Sequence, residues 1–214
     1  CWSTLPITPV LQNSIIPFLV SPSGKEYLPI SIVIIAMPYG VLDAERLSQA
    51  SRVCLERSLD WWQKSMHTSK HKTFLVLAGY NSDGGQEIKL RRQLAETALQ
   101  EPELLNNLIE VSASNEISLA QKISRIRSLL PFETVTVFVE ERNAISVRAI
   151  FRRKFGKTLH IRKFKAQFEF NHQWITTSTS FAWSARNWLL RIWFELKKRM
   201  GRGLRKKIRY WFKS

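Results

Sequence analysis

The sequence is poor in the residues that stabilise small disulfide-rich or metal-binding domains. Its 214 residues include two cysteines, Cys1 and Cys54, and four histidines, of which His67 and His71 are closely spaced. Two cysteines cannot form a disulfide framework, and the histidine pair has no third ligand near it in the sequence. We therefore expect no metal centre. Only eight glycines and eight prolines are present, which excludes a low-complexity chain.

Long hydrophobic runs are also missing. A membrane-spanning helix needs about 20 consecutive apolar residues, whereas residues 14–20 (SIIPFLV) form a short run that Pro17 interrupts. The chain begins with Cys1 rather than methionine, which indicates a trimmed or processed chain. We therefore expect any signal or membrane helix to precede Cys1.

Acidic residues become scarce in the C-terminal third. Residues 1–141 contain 13 Lys/Arg and 15 Asp/Glu, a net charge of −2, whereas residues 142–214 contain 20 Lys/Arg and 2 Asp/Glu, a net charge of +18. So sharp a separation predicts that the C-terminal third faces an anionic partner, which is a nucleic acid, an anionic lipid surface or an acidic protein.

Apolar β-branched runs alternate with longer helical segments after an irregular N-terminal stretch. Strands are predicted at 29–38, 73–79, 107–112, 133–140 and 157–164, and helices at 42–66, 86–100, 115–130, 142–156 and about 181–200. Asp43 is expected to cap the first helix, and the alternating pattern of the fifth strand places it near a sheet edge. The pattern predicts a Rossmann-like three-layer α/β fold with a mainly parallel sheet of about five strands. Residues 1–28 are then an irregular segment, 29–200 a single α/β domain, and 201–214 a basic amphipathic tail.

Ligands of such folds bind at the carboxyl ends of the strands. The loop AGYNSDGGQE (78–87) is the most suggestive candidate, because a glycine-containing turn before a helix lets backbone N–H groups approach an anion. An ordinary turn, in which glycine supplies positive φ, explains the same residues. The candidate ligand-binding residues at the strand ends are Gly79, Asn81, Asp83, Glu87, Asn115, Arg148 and His172. The sequence identifies no catalytic residue and no cofactor.

Four segments together resemble the YdcF/SanA/ElyC-like bacterial envelope family. They are IVIIAMPYGVLDAERLSQASR (32–52), FLVLAGYNSDGGQEIKLRRQL (74–94), VSASNEISLAQ (111–121) and VTVFVEERNAISVRAIFRRKFG (135–156). The resemblance covers about residues 30–160 and the aromatic, basic last helix, and it carries over Gly79, Glu87, Asn115 and Arg148. The family's Ser-Gly-Gly turn is Ala78-Gly79-Tyr80 here, and the Thr after its Asn is Glu116. The resemblance implies a role in cell-envelope biogenesis and a nucleotide-like ligand such as S-adenosylmethionine.

The basic C-terminus divides into two predicted elements. On a helical wheel, Trp188, Leu189, Ile192, Trp193, Leu196 and Met200 share one side, which predicts a helix packed on the domain core. After Gly201-Arg202-Gly203, a short amphipathic helix is expected. Its predicted membrane-surface residues are Leu204, Arg205, Lys206, Lys207, Ile208, Arg209, Trp211, Phe212 and Lys213. Tryptophan and phenylalanine beside lysine and arginine are typical of helices in the lipid headgroup region.

These observations together predict a YdcF-like α/β domain bound peripherally to the bacterial cell membrane, with a small anionic or nucleotide-like ligand at the strand ends. Two alternatives remain open at this point. The basic third fits a nucleic-acid-binding module, although no helix-turn-helix, zinc-finger or RNA-binding signature is present. The partial family motifs also fit a catalytically inactive scaffold for an acidic partner.

Overall fold

A parallel five-stranded sheet forms the centre of the molecule. The computed structural model describes residues 31–68, 72–81, 84–99, 101–130 and 132–166, together with the single helical residues Ala185, Trp188, Leu189 and Ile192. The strands are β1 (Ser31–Ala36), β2 (Thr73–Tyr80), β3 (Leu108–Ala113), β4 (Phe132–Glu140) and β5 (Leu159–Phe164). Their spatial order is β3-β2-β1-β4-β5, and each neighbouring pair is parallel. The predicted Rossmann-like α/β fold is confirmed, and β5 lies at an edge as expected.

Helices cover both faces of the sheet. They are α1 (Gln49–Thr68), α2 (Gln86–Ala98), α3 (Glu116–Leu129) and α4 (Ala144–Phe155), with short 3-10 helices at Pro102–Asn107, Glu141–Asn143 and Gly156–Thr158. Contacts join α1 to α2 and α3 to α4. Because parallel crossovers are right-handed and the strand order reverses at β1, each pair forms a separate layer. Strands covered on both faces can be continuously apolar, which explains why every residue of β2 is buried.

The core lies between the sheet and these two helical layers. The inward side of α1 buries Cys54, Leu55, Leu59 and Trp62. The Trp62 indole is fully buried, and its Nε1–H donates a 3.0 Å hydrogen bond to the carbonyl oxygen of Thr73, so the polar atom of this large side chain is satisfied at the start of β2. The Gly156 φ of 60° ends α4 and turns the chain into β5, as the sequence predicts.

The first helix begins later than predicted. The Asp43 carboxylate does not cap it, because its oxygens accept hydrogen bonds from Glu45 N at 2.9 Å and from Arg46 Nε at 2.6 Å within the preceding loop. The Ser48 hydroxyl oxygen instead accepts from the backbone N–H of Ser51 in the first turn of α1. A serine directly before the helix thus replaces an aspartate that is engaged in a local turn.

Several predictions fall outside the described residues. These are the irregular segment 1–28, Asp83, His172, and the tail 201–214 with its membrane-surface residues. Of the last predicted helix, Trp188 and Leu189 are helical and exposed by 61% and 59%. The prediction that they pack on the core is therefore wrong for these two residues. Helical periodicity identifies an apolar side of a helix but does not show what covers it.

Candidate functional site

The carboxyl end of the sheet brings together many of the polar residues that the sequence points to. The strand order reverses at β1, so the crevice expected to hold a ligand lies between the ends of β1 and β4. Protein groups bridge this crevice. The backbone N–H of Glu140, at the end of β4, donates a 2.6 Å hydrogen bond to the hydroxyl oxygen of Tyr39, which follows β1.

Glu87 lies at the start of α2 and is fully buried. Its Oε1 accepts hydrogen bonds from the backbone N–H groups of Tyr39 and Gly40, both at 2.8 Å, and from the hydroxyl of Ser51 at 2.7 Å. Its Oε2 accepts a longer bond of 3.4 Å from Tyr80 N. The carboxylate therefore holds the loop after β1 to α1 and to the end of β2.

Arg91, one helical turn after Glu87, is also fully buried, and its Nε lies 3.6 Å from Glu87 Oε1. Its guanidinium donates to the carbonyl oxygens of Ala36 at 2.8 Å, Ala78 at 2.9 Å and Met37 at 2.5 Å. Ala36 ends β1, Met37 follows it, and Ala78 lies near the end of β2, so the guanidinium connects the ends of these two strands. Sequence reasoning missed Arg91 because an arginine on a helix is ordinarily solvated. Its signal was the i, i+4 spacing from Glu87.

We call Glu87, Arg91 and Ser51 the buried clamp. Ser51 joins the two charges, since its hydroxyl donates to Glu87 and its oxygen accepts from Arg91 Nε at 2.9 Å. Removing one partner of a buried ion pair leaves an uncompensated charge and typically costs about 3–5 kcal/mol. In this structure Glu87 therefore stabilises the fold at the strand ends, and direct contact between Glu87 and a ligand stays a prediction.

A second carboxylate pairs with an arginine at the end of β4. Glu140 has 1% of its side chain exposed and accepts from the Arg142 backbone N–H at 2.6 Å and from its Nε at 3.0 Å. Arg142 also donates to the carbonyl oxygen of Ala166 at 2.8 Å, which connects the β4 end to the residues after β5. Burial raises the pKa of the Glu140 carboxyl, and the hydrogen bonds from Arg142 oppose that increase.

Two tyrosines line the same end of the sheet, of which Tyr80 is buried and Tyr39 is half-buried. Burial raises the pKa of Tyr39 and of Tyr80 well above the usual value for tyrosine, and the negative charge of Glu116 adds to the increase at Tyr80. Both phenols are therefore protonated at neutral pH. The Tyr39 ring packs edge-on against Phe164 with ring centroids 5.9 Å apart. This end of the sheet thus offers hydroxyl groups and a paired carboxylate rather than a phenolate nucleophile.

Gly79 and Asn81 lie close together at the end of β2 but differ in exposure. A Cβ atom on Gly79 would lie 2.4 Å from Cγ1 of Ile88, so glycine is needed there for the close approach of α2. Asn81 is exposed, and its side-chain oxygen accepts a hydrogen bond from the Ser112 hydroxyl at the end of β3. Asn81 is therefore accessible to a ligand, whereas Gly79 serves packing.

Asn115 caps α3. Its side-chain oxygen accepts from the backbone N–H of Ile117 at 3.0 Å and of Ser118 at 2.9 Å, and the Ser118 hydroxyl accepts from the Asn115 backbone N–H at 3.2 Å. This reciprocal pair is a capping box, which satisfies N–H groups that a helix start leaves unpaired. The local role explains why asparagine occurs at this position without reference to a ligand.

Arg148 lies in a different place from the other predicted site residues. It is exposed on α4 and lines a groove of about 340 Å³ between α4 and β5. The groove is lined by Arg148, Arg152, Gly156, Lys157, Leu159 and Ile161. Of the predicted site residues, Arg148 lines this groove and Glu87, Asn81 and Asn115 do not. A single site that contains all four stays a prediction.

The groove is part of a wider basic surface. Residues 144–166 contain eight Lys/Arg and no Asp/Glu. We call these residues the basic edge, and all eight are exposed: Arg148, Arg152, Arg153, Lys154, Lys157, Arg162, Lys163 and Lys165. Arg162 stacks over the Trp61 ring at 3.4 Å, and Lys165 lies 3.8 Å from Glu141. The described part of the basic C-terminal third thus presents its positive charge at one edge of the sheet.

The described part of the chain offers no preformed centre for metal or thiol chemistry. Within it, no group of three or more His, Cys, Asp or Glu side chains could hold a metal ion. Cys54 is buried, and burial raises its pKa to about 12, so its thiol is protonated at neutral pH. Its Sγ lies 3.4 Å from the Phe138 carbonyl oxygen. Cys54 therefore belongs to the core.

No described helix combines the length and the apolar character needed to span a bilayer. Comparisons of the chain with protein-family models, curated proteins and solved structures find no match.

Proposed function

We propose that this chain is a peripheral membrane-binding α/β domain that contacts anionic lipid headgroups through its basic edge. The observation that carries the proposal is the concentration of eight exposed Lys/Arg, with no Asp/Glu, in residues 144–166 at the β5 side of the sheet. Each lysine or arginine near an anionic bilayer contributes about 1 kcal/mol. If half of the eight reach the surface together, they contribute about 4 kcal/mol, which is close to a thousandfold in partitioning.

Exposed apolar side chains favour lipid over nucleic acid as the partner. Ile145, in the first turn of α4, is 54% exposed, and Ile117, in the first turn of α3, is 37% exposed. Both helices belong to the layer formed by α3 and α4, and both first turns lie at the carboxyl end of the sheet. Trp188 is 61% exposed as well. Exposed isoleucine and tryptophan in a domain with a basic surface suit the boundary between headgroups and acyl chains, whereas contacts with a nucleic-acid phosphate backbone are made by cationic and polar groups.

The bacterial envelope is the proposed location. The resemblance to the YdcF/SanA/ElyC-like family supports it, and so does the basic amphipathic sequence of residues 201–214. In this proposal the tail and the basic edge contact the same membrane surface. Two attachments of moderate strength then reinforce each other through their covalent connection.

Vesicle flotation tests the proposal. The full chain is expected to float with vesicles of phosphatidylcholine and phosphatidylglycerol, and to remain in solution with phosphatidylcholine alone. Binding should weaken as salt is raised, because the Debye length falls from about 10 Å at 0.1 M to about 3 Å at 1 M. The double variant Arg152→Glu, Lys157→Glu should lose at least tenfold in partitioning, and deletion of residues 201–214 should weaken binding further.

A matched control separates position from net charge. Arg57 on α1 and Lys89 on α2 are exposed and lie on the opposite helical layer, so Arg57→Glu with Lys89→Glu changes the net charge equally. If both double variants bind vesicles equally, the basic edge is not the contact surface. The contrary result is that the intact chain fails to bind anionic vesicles at low salt but binds duplex or single-stranded nucleic acid in a salt-sensitive manner. That result would mean that the partner is nucleic acid and not a membrane.

A second candidate function is the binding of a small anionic or nucleotide-like ligand at the carboxyl end of β2 and β3. Exposed polar groups favour it: Asn81 contacts the Ser112 hydroxyl, and the Lys122 ammonium donates to the Ser112 carbonyl oxygen at 2.6 Å. Thermal-shift screening with nucleotides and S-adenosylmethionine, repeated on Asn81→Ala and Lys122→Met, tests this candidate. A stabilising ligand whose affinity is unchanged in both variants would exclude this location.

A further inference from the structure

We propose that the groove between α4 and β5 binds the phosphate group of a phosphate ester. Arg148, Arg152 and Lys157 would contact the phosphate oxygens, and the apolar substituent of the ester would lie against Leu159 and Ile161. This inference rests on the proposed function, because the groove lies within the basic edge. It goes further by assigning a defined chemical group to a defined place on that surface.

The local backbone brings the three cations together. Arg148 and Arg152 are spaced i, i+4 on α4, which places their Cβ atoms about 5–6 Å apart on the same side of the helix. Gly156, with its φ of 60°, ends the helix and reverses the chain, so that Lys157 lines the same groove as the two arginines. Three long cationic side chains around one depression can converge on a group the size of a phosphate.

The charge in the groove exceeds what α4 itself requires. A helix C-terminus carries about half a negative charge, which cations in the last turn ordinarily neutralise. The last turn of α4 contains Arg152, Arg153 and Lys154, and Lys157 follows directly. Within the described part of the chain, neither Arg148, Arg152 nor Lys157 forms an ion pair with a carboxylate. The groove therefore keeps a net positive charge that an anion can neutralise.

The groove has a cationic part and an apolar part, and this combination favours a phosphate ester over a simple anion. Leu159 and Ile161 alternate along β5, so their side chains lie on the same face of the strand, and both are half-buried. A volume of about 340 Å³ exceeds that of one phosphate and falls at the lower end of known small-ligand pockets. Planar guanidinium groups bind carboxylate and phosphate oxygens alike in a bidentate manner. A phosphate monoester, however, has three acceptor oxygens and a charge of about −1.5 to −2, so it suits three cations better than a carboxylate does.

A lipid headgroup and a soluble phosphate ester share this chemistry, so the experiment has two arms. In the first, the full chain is titrated with glycerol phosphate and with inorganic pyrophosphate by calorimetry at constant ionic strength. In the second, flotation compares vesicles containing phosphatidic acid with vesicles containing oleate, adjusted to the same surface potential. Both arms use the wild type, the double variant Arg148→Met, Arg152→Met, and the control Arg57→Met, Lys89→Met.

The inference predicts at least a tenfold loss of affinity in the groove variant in one arm or both, with the control variant like the wild type. Loss in the calorimetric arm alone identifies a soluble ester, and loss of the preference for phosphatidic acid over oleate identifies a lipid. Equal behaviour of the groove and control variants in both arms would overturn the inference. The proposed function would survive that result if charge reversal at Arg152 and Lys157 still abolished binding to anionic vesicles.

Discussion

The buried clamp and the basic edge both contain arginine, but the arginine is buried in the clamp and exposed at the basic edge. In the clamp, the Arg91 guanidinium and the Glu87 carboxylate are fully buried and bonded to backbone groups of two strands. At the basic edge, Arg148 and Arg152 are exposed and line an open groove. Burial and hydrogen-bond partners, rather than residue type, therefore decide whether a charge stabilises the fold or stays available to a partner.

The largest effect on stability is expected from a substitution that breaks the buried clamp. Arg91→Met keeps roughly the volume of the side chain but leaves the Glu87 carboxylate buried without its counter-charge, and it removes the hydrogen bonds to the carbonyls of Ala36 and Ala78. We expect the free energy of unfolding to fall by about 3–5 kcal/mol. Urea unfolding followed by tryptophan fluorescence measures it.

The neighbouring Arg92 is the matched control. Its side chain is 33% exposed, and its guanidinium contacts Glu96 at 2.6 Å and Glu110 at 3.2 Å. Ion pairs of this kind contribute no more than about 1 kcal/mol, so Arg92→Met should cost far less than Arg91→Met. Equal losses in the two variants would show that burial does not separate the two arginines.

A smaller effect is expected at the packing contact beside the clamp. Gly79→Ala places a Cβ atom 2.4 Å from Ile88 Cγ1, and overpacking of this kind costs about 1–3 kcal/mol. In the double variant Gly79→Ala, Ile88→Ala, the clash is removed, so the two costs should be less than additive. Strict additivity in urea unfolding would mean that α2 does not depend on this close approach.

The cap of α3 is expected to contribute about 1 kcal/mol. Asn115→Ala removes the oxygen that accepts from the Ile117 and Ser118 N–H groups. Gln121→Ala, at an exposed position in the middle of α3, should change the free energy of unfolding by no more than about 0.5 kcal/mol. A ligand-binding role for Asn115 without a capping role predicts instead that both variants unfold alike.

The smallest effect on stability is expected at the basic edge. Arg152→Glu with Lys157→Glu removes favourable charge at the C-terminus of α4, a loss of about 0.3–1 kcal/mol, and reduces repulsion among the remaining cations. We therefore expect the thermal midpoint to stay close to that of the wild type, while vesicle partitioning falls tenfold or more. A large loss of stability would mean that these charges serve the fold, as those of the clamp do.

The sequence predicts the sheet well, because strand and helix periodicities are local properties of the chain. The apolar runs of β1 and β2 and the glycine that closes α4 are visible without tertiary information. The start of α1 is harder to predict from the sequence, since Asp43 and Ser48 are both good capping residues. Only the loop geometry shows that Asp43 is already bonded to Glu45 and Arg46.

The candidate site was harder to predict than the fold. Glu87 and Arg148 both follow strand ends in the sequence, yet the first is buried and the second lies in an open groove. Which side of a helix is buried depends on tertiary packing, and Arg91 could therefore not be distinguished from a solvated arginine. Composition did predict a positive C-terminal third, because a long stretch with few acids remains positive wherever its side chains point, but it did not predict that residues 144–166 lie at a sheet edge.

The two hydrogen bonds that the backbone N–H groups of Tyr39 and Gly40 donate to Glu87 also limit the motion of the loop after β1. Loops at the carboxyl ends of parallel strands commonly close over a ligand and become ordered only then. Here the loop after β1 is already held by a buried carboxylate, so its amide protons should exchange with solvent about as slowly as those of the adjacent strand. A ligand that binds at this end of the sheet would contact a loop that is already ordered, so little binding free energy would be lost to ordering that loop.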